Sequence, residues 1–267
     1  MTETSALTIN VTEGVGEIVL NRPDIHNAFD DALIKLMIKA IGKLESSDQV
    51  KLIVLKANGK SFSAGADLNW MKRMADYSWS QNYQDSLGLA TLMQNLAQTT
   101  KPTISLVQGS AFGGGVGLAA CCDIVLASDR AKFCLSEVKL GLIPAVISPY
   151  VIKAIGQRQA SRYFLTAELF DAMIAERIGL VHQVYPHDDF VTNCQAFIKS
   201  MLNNGPEAVK AAKKLIDHVH DKPIDEELIR ETAQRISDIR ASKEGKEGLS
   251  AFLEKRNPNW QKSQQED

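Results

Sequence analysis

Two segments of the chain carry residue types suited to holding a ligand with the backbone. In SFSAGADLNWM (61–71) a strand runs into a turn of small residues, Ser63-Ala64-Gly65-Ala66, just before Asp67, which is placed to cap a helix. Small side chains let a ligand come close to the main chain and its amide N–H groups. In VQGSAFGGGVGLAACCDIVLAS (107–128), Gly113-Gly114-Gly115 separates a buried-type strand from a helix of small residues. The first N–H groups of a helix have no partner within it, and the helix dipole favours negative charge there. Such a turn can hold an oxyanion or a phosphate. It lacks both the GxGxxG order of a dinucleotide fold and the Gly-Lys-Ser/Thr of a P-loop. Taken alone, it also fits glycines that merely allow close packing.

Other polar residues point away from metal or redox chemistry. His26, His182, His218 and His220 are scattered, and His218 and His220, two apart on one helix, do not share a face. Four cysteines in 267 residues make no disulfide scaffold and suit no zinc site, and Cys121 and Cys122 sit among small apolar residues as buried thiols do. Asp123 reads as a structural carboxylate that pairs with nearby backbone. Trp70, Trp79 and Trp260 are too dispersed to stack bases, so nucleic-acid binding is not expected.

The elements that position these segments alternate. ALTINV (6–11) and VGEIVL (15–20) read as a hairpin of strands. Leu33, Leu36, Met37, Ala40, Ile41 and Leu44 give residues 30–44 a helical stripe. Strands are expected at 52–57, 104–109 and 124–128, with a second helical stripe of Leu89, Leu92, Met93 and Leu96 at 83–98. After residue 143 the strand signals thin to VHQV (181–184) among candidate helices at 145–155, 158–167, 171–178, 188–203, 206–219, 224–241 and 245–254. The pattern is α/β, with a core over 1–200 and a helical C-terminal region over 201–267. At 45% hydrophobic residues the chain can bury a sizeable core, and its formal net charge of −2 gives no general attraction to nucleic acid or anionic membrane. No leader or membrane-spanning stretch is legible, so a cytoplasmic protein is expected.

NRPDIHNAF (21–29), SAGADL (63–68), AFGGGVGLAACCDIVLAS (111–128), KFCLSEVKLGLIP (132–144), AERIGLVHQV (175–184) and FLEKRNPNW (252–260), in this order and spacing, resemble the crotonase superfamily of enoyl-CoA hydratases and isomerases over nearly the whole chain. The resemblance implies a spiral of strand-strand-helix units, a C-terminal helical region for trimerisation, and trimers or hexamers built as dimers of trimers. It implies that the amides of Ala66 and Gly114 form an oxyanion hole for a thioester carbonyl, where two preorganised donors stabilise the negative charge that develops. It places Glu137, after the strand KFCL, as the acid/base group acting at the α-carbon of the acyl chain. It assigns Ala64, Gly65, Asp67, Leu68 and Gly113 to substrate binding, and Lys56, Lys60 and Lys255 with Arg256 to the phosphates of coenzyme A. Coenzyme A then arrives with the substrate, and no separate cofactor or metal is needed.

Two departures from the family pattern bear on the reaction. Gly117 stands where hydratases with two glutamates carry the second, so either Glu137 handles water and proton together, or another polar group positions the water, or the enzyme moves a double bond and needs no water. The tract PAVISPYV (144–151) replaces the usual glycine-rich one and resembles bacterial methylglutaconyl-CoA hydratases. The expected function is hydration of an unsaturated acyl-CoA, 3-methylglutaconyl-CoA being the candidate, with Arg73, or else Lys72, facing the distal carboxylate. The alternatives are a Δ3,Δ2-enoyl-CoA isomerase working with one carboxylate, and a non-catalytic or RNA-binding protein of the same fold.

Overall fold

A computed structural model describes residues 5–264; residues 1–4, and the last three residues of the expected C-terminal helical region, lie outside the described residues. In chain order the elements are β1 (Leu7–Thr12), β2 (Val15–Leu20), α1 (Asp31–Glu45), β3 (Leu52–Ala57), β4 (Ser61–Ser63), α2 (Leu68–Ala75), α3 (Trp79–Ala97), β5 (Thr103–Val107), β6 (Ser110–Phe112), α4 (Gly114–Ala120), β7 (Ile124–Ser128), β8 (Lys132–Cys134), α5 (Ser148–Thr166), β9 (Phe170–Asp171), α6 (Ala172–Arg177), β10 (Gln183–Tyr185), α7 (Phe190–Leu202), α8 (Pro206–Val219), α9 (Glu226–Ala241) and α10 (Lys243–Leu253). They form two compact units. The first holds the described residues up to Thr99 together with Thr103–Cys194, and the second holds Thr100–Pro102 and the described residues from Gln195.

The first unit opens on the β1–β2 hairpin, whose two-residue turn is Glu13-Gly14. Both residues have positive φ (48° and 86°), the conformation that matches the twist of the paired strands. From β2 onward the long sheet is parallel, in the order β1-β2-β3-β5-β7-β10. A second, four-stranded sheet runs β4-β6-β8-β9. The expected spiral follows from this sharing: β3 then β4, β5 then β6, and β7 then β8 each place one strand in either sheet before a helix closes the turn.

Asp30 caps α1 by accepting from Leu33 N at 2.9 Å, and the helix buries Leu33, Ile34, Met37, Ala40, Ile41 and Leu44. Leu36, expected on that stripe, is instead exposed, and Ile34 holds the inward position. Helices expected at 145–155 and 158–167 form one element, α5, broken at Gly156, whose φ of 73° no helix interior permits. Among the described residues, no helix is long and apolar enough to cross a membrane.

The second unit is helical. Pro206 starts α8, and the Glu244 carboxylate of α10 accepts from the amides of Glu207 (3.0 Å) and Ala208 (2.8 Å), satisfying two of the free donors at that helix start. Arg256 holds Glu247 by a two-point ion pair. Ile229, Ile236, Phe252 and Leu253 remain exposed.

Candidate active site

Three adjacent parallel strands end together. β4, β6 and β8 lie side by side, and their C-terminal ends run directly into Ala64-Gly65-Ala66, Gly113-Gly114 and the segment leading to Glu137. Ligands in parallel sheets collect at such carboxyl ends. Parallel register thus brings together three segments up to 73 positions apart (137 minus 64).

The two turns touch through glycine. Gly65 has φ 86°, and a methyl placed on it would stand 2.9 Å from Phe112 O and 3.8 Å from Gly114 N, so only glycine lets the turns meet here. Its amide is held by Ser63 Oγ at 3.2 Å, and that hydroxyl donates to Asn27 O at 2.9 Å. Ala66 forms an isolated parallel bridge with Phe29: Phe29 N donates to Gly65 O (2.8 Å), and Asp67 N donates to Phe29 O (3.0 Å). In such a bridge the paired residue's own N–H points to the opposite side, so that of Ala66 is turned away from Phe29. Gly114 is the first residue of α4, and its N–H has no acceptor within the helix. Among the described residues, neither the Ala66 nor the Gly114 amide donates to a protein group. Both residues are partly accessible, whereas Gly65, Gly113 and Gly115 are buried.

Glu137 begins a short 3-10 turn, Glu137–Leu140, that ends at Gly141 in the left-handed region. A methyl on Gly113 would stand 3.1 Å from Glu137 Oε1, so the carboxyl lies against the Gly113 backbone, one residue from the Gly114 N–H. Oε2 is buried without a hydrogen-bond partner. Burial raises the carboxyl above its ordinary range, with its own backbone N–H working in the opposite direction. A carboxyl held this way accepts and releases protons nearer neutrality than a solvated one. Two free donors beside one poised carboxyl make an arrangement for stabilising an oxyanion while moving a proton.

The other expected residues divide. Ala64 is exposed next to the turn, its amide given to His26 O, and Leu68 opens α2 with 73% of its surface exposed, an apolar group close to the free amides in sequence. Asp67 is 6% exposed, caps α2 through Asn69 N (2.7 Å) and Trp70 N (3.2 Å), and pairs with Arg22 at 3.2 Å, so its oxygens serve the fold. Lys56 is paired with Glu17 on the neighbouring strand, so its charge is already matched, while Lys60 is exposed between β3 and β4. Arg73 is half-exposed and donates to Asp31 at 2.7 Å. Lys255 belongs to the second unit, where it takes a positive φ of 55° just beyond α10. Asp123 accepts from both Thr103 N (2.7 Å) and Thr103 Oγ1 (2.9 Å), the structural role expected of it. Among the described residues, no group of three or more His, Cys, Asp or Glu could hold a metal ion.

Gly117 faces a filled space. A methyl there would come within 2.2 Å of Ile147 Cγ2, 2.8 Å of Ile147 Cβ and 3.3 Å of Met93 Cε. The two departures noted in the sequence, Gly117 and PAVISPYV, are therefore one packing feature, because Ile147 of that tract occupies the room a side chain at 117 needs.

The family model described as enoyl-CoA hydratase/isomerase matches residues 10–264. An enoyl-CoA hydratase structure from Shewanella pealeana is 49% identical, with a TM-score of 0.92 and 97% of each chain covered. The 2,3-dehydroadipyl-CoA hydratase of Escherichia coli K12 is 31% identical, covering 96% of this chain and 98% of its own. The mitochondrial Delta(3,5)-Delta(2,4)-dienoyl-CoA isomerase of Dictyostelium discoideum is 32% identical, covering 91% and 86% respectively.

Proposed function

Because the chain belongs to the enoyl-CoA hydratase/isomerase family, we propose that it hydrates the α,β double bond of an unsaturated acyl-CoA with Glu137 as its one proton-transfer group. The observation that carries this reading is the buried, unpartnered Glu137 Oε2 beside the free amides of Ala66 and Gly114. The thioester oxygen accepts from both amides. Glu137, as carboxylate, takes a proton from water while the water oxygen bonds to the β-carbon, and the double-bond electrons move onto the thioester as an enolate. The two N–H groups stabilise that charge, each donor contributing about 3 kcal/mol. Glu137 then returns the proton to the α-carbon. Coenzyme A is carried by the substrate and no further cofactor takes part.

For the acyl group, the proposal is a branched chain ending in a carboxylate, 3-methylglutaconyl-CoA, with Arg73 as the distal cation exchanging Asp31 for the substrate. The PAVISPYV resemblance supports this, and so does a relative whose name gives it a dicarboxylic enoyl-CoA. A second reading, migration of a double bond from the Δ3 to the Δ2 position, is favoured by the blocked space at Gly117, since one carboxyl suffices to carry a proton between two carbons. Incubation with a panel of 2- and 3-enoyl-CoAs in H2 18O, read by mass spectrometry, separates the two. Heavy oxygen in a 3-hydroxyacyl-CoA supports hydration, isomerisation without label supports the second reading, and no turnover on any acyl-CoA removes both in favour of a non-catalytic member.

A further inference from the structure

We infer that Phe29 is the positioning residue that sets the separation of the two free amides. This rests on the acyl-CoA reading of the site. Phe29 engages both halves of the donor pair by different means. Its backbone holds the strand segment around Ala66 through the bonds to Gly65 O and from Asp67 N, at 2.8 and 3.0 Å. Its ring lies under the other half: a methyl on Gly114 would meet Phe29 Cζ at 2.3 Å and both Cε atoms at 3.3 Å, so the ring tip points at the Gly114 backbone. One residue therefore spans the gap, fixed by hydrogen bonds to Gly65 and Asp67 on either side of Ala66, and to Gly114 by contact.

The ring has little freedom to move. Phe29 is 1% exposed, and Trp70 packs against it at 6.3 Å between ring centroids, tilted by 53°. Trp70 is in turn tied through its indole N–H to Asp85 Oδ1 at 3.2 Å. The Phe29 backbone is fixed as well, since Asn27, two residues before it, places its side-chain amide on Asn58 O (2.7 Å) and Ser61 O (2.8 Å). A strut braced at both ends gives the preorganisation on which oxyanion stabilisation depends, because donors must stand ready where charge appears. Shortening the side chain at 29 lets the Gly114 turn sink toward the vacated space. Lengthening it pushes the turn away. Either change misplaces one donor relative to the other, and a shift of about 1 Å in such a site costs up to about a hundredfold in rate.

The test uses the full chain and butanoyl-CoA labelled with 13C at the thioester carbonyl, a saturated compound that binds without reacting. Difference infrared spectra report how far the bound carbonyl band moves down from its position in water, and turnover is followed separately on the enoyl-CoA that the wild type hydrates or isomerises fastest. The expectation is a clear downshift in the wild type that is lost in large part in both Phe29→Leu and Phe29→Tyr, with kcat lower by about tenfold to a hundredfold and KM changed far less. The band is read per bound ligand, so a variant of reduced stability still reports. Leu33→Ala, a core truncation in α1, lowers Tm but leaves the band in place. A full downshift and wild-type kcat in Phe29→Leu overturns the strut while leaving the acyl-CoA reading intact. Absence of any shift in the wild type, with no turnover, overturns the acyl-CoA reading and the strut with it.

Discussion

If packing excludes a side chain at position 117, the cost of adding one must depend on Ile147. Gly117→Ala puts a methyl 2.2 Å from Ile147 Cγ2, overpacking that costs about 1–3 kcal/mol. The gain of about 1 kcal/mol from replacing glycine with alanine inside α4 offsets part of it, leaving a net loss of up to about 2 kcal/mol. Ile147→Ala alone opens a cavity beside a residue that is 2% exposed, at about 2–5 kcal/mol. In that background the new methyl at 117 loses its 2.2 Å clash, keeps the 2.8 Å approach to Cβ and the 3.3 Å approach to the flexible end of Met93, both relieved by a small shift, and fills part of the void. Gly117→Ala should then be neutral or stabilising, giving a favourable coupling of about 1–3 kcal/mol in the double-mutant cycle. Urea unfolding followed by circular dichroism, at one protein concentration for all four proteins, measures it. Equal costs of Gly117→Ala in the two backgrounds, to within about 0.5 kcal/mol, would refute the steric account of the missing carboxylate.

The raised Glu137 carboxyl carries a stability consequence with a definite sign. Its folded-state value lies above the ordinary one, so its contribution is fully present at low pH and is lost as pH rises through the folded value. Glu137→Gln should therefore match the wild-type Tm at about pH 4 and exceed it at neutral pH; a Tm gain that is the same at both would contradict burial as the cause. Arg73→Met should lower kcat/KM for 3-methylglutaconyl-CoA by about 1.5–3 kcal/mol while leaving crotonyl-CoA nearly unaffected, and equal effects on both would remove Arg73 from recognition. Exposed Ile229, Ile236, Phe252 and Leu253 in the second unit lead to the expectation of a trimer or a multiple of one by light scattering, which a monomer active at micromolar concentration would contradict.

The long elements were legible because their signals are local. The stripe in α1, the β-branched runs in β2, β3, β5 and β7, and the cap at Asp67 each lie within one segment. The short strands β6 and β9 were not, since two or three residues carry no periodicity and form only because neighbouring strands offer them an edge. At the site, the glycine turns pointed to exposed amides and the family resemblance singled out Ala66 and Gly114, but the direction of the Ala66 N–H is fixed by Phe29, 37 positions earlier (66 minus 29), and nothing local to SAGADL reveals that. NRPDIHNAF stood out as a matching segment with no role for its aromatic. Gly117 and Ile147, 30 positions apart (147 minus 117), each stood out as departures, and only packing joins them. The pairing of Lys56 with Glu17 was not legible either, because it comes from strand pairing rather than from sequence proximity.

The claim on which the rest depends is that Glu137 alone moves the proton beside the two free amides. The most direct test compares kcat of wild type and Glu137→Gln on the best enoyl-CoA substrate, with butanoyl-CoA affinity measured on the same preparations. A fall of about a hundredfold or more in kcat, with affinity retained, is the predicted result. Turnover by Glu137→Gln near the wild-type rate would contradict it.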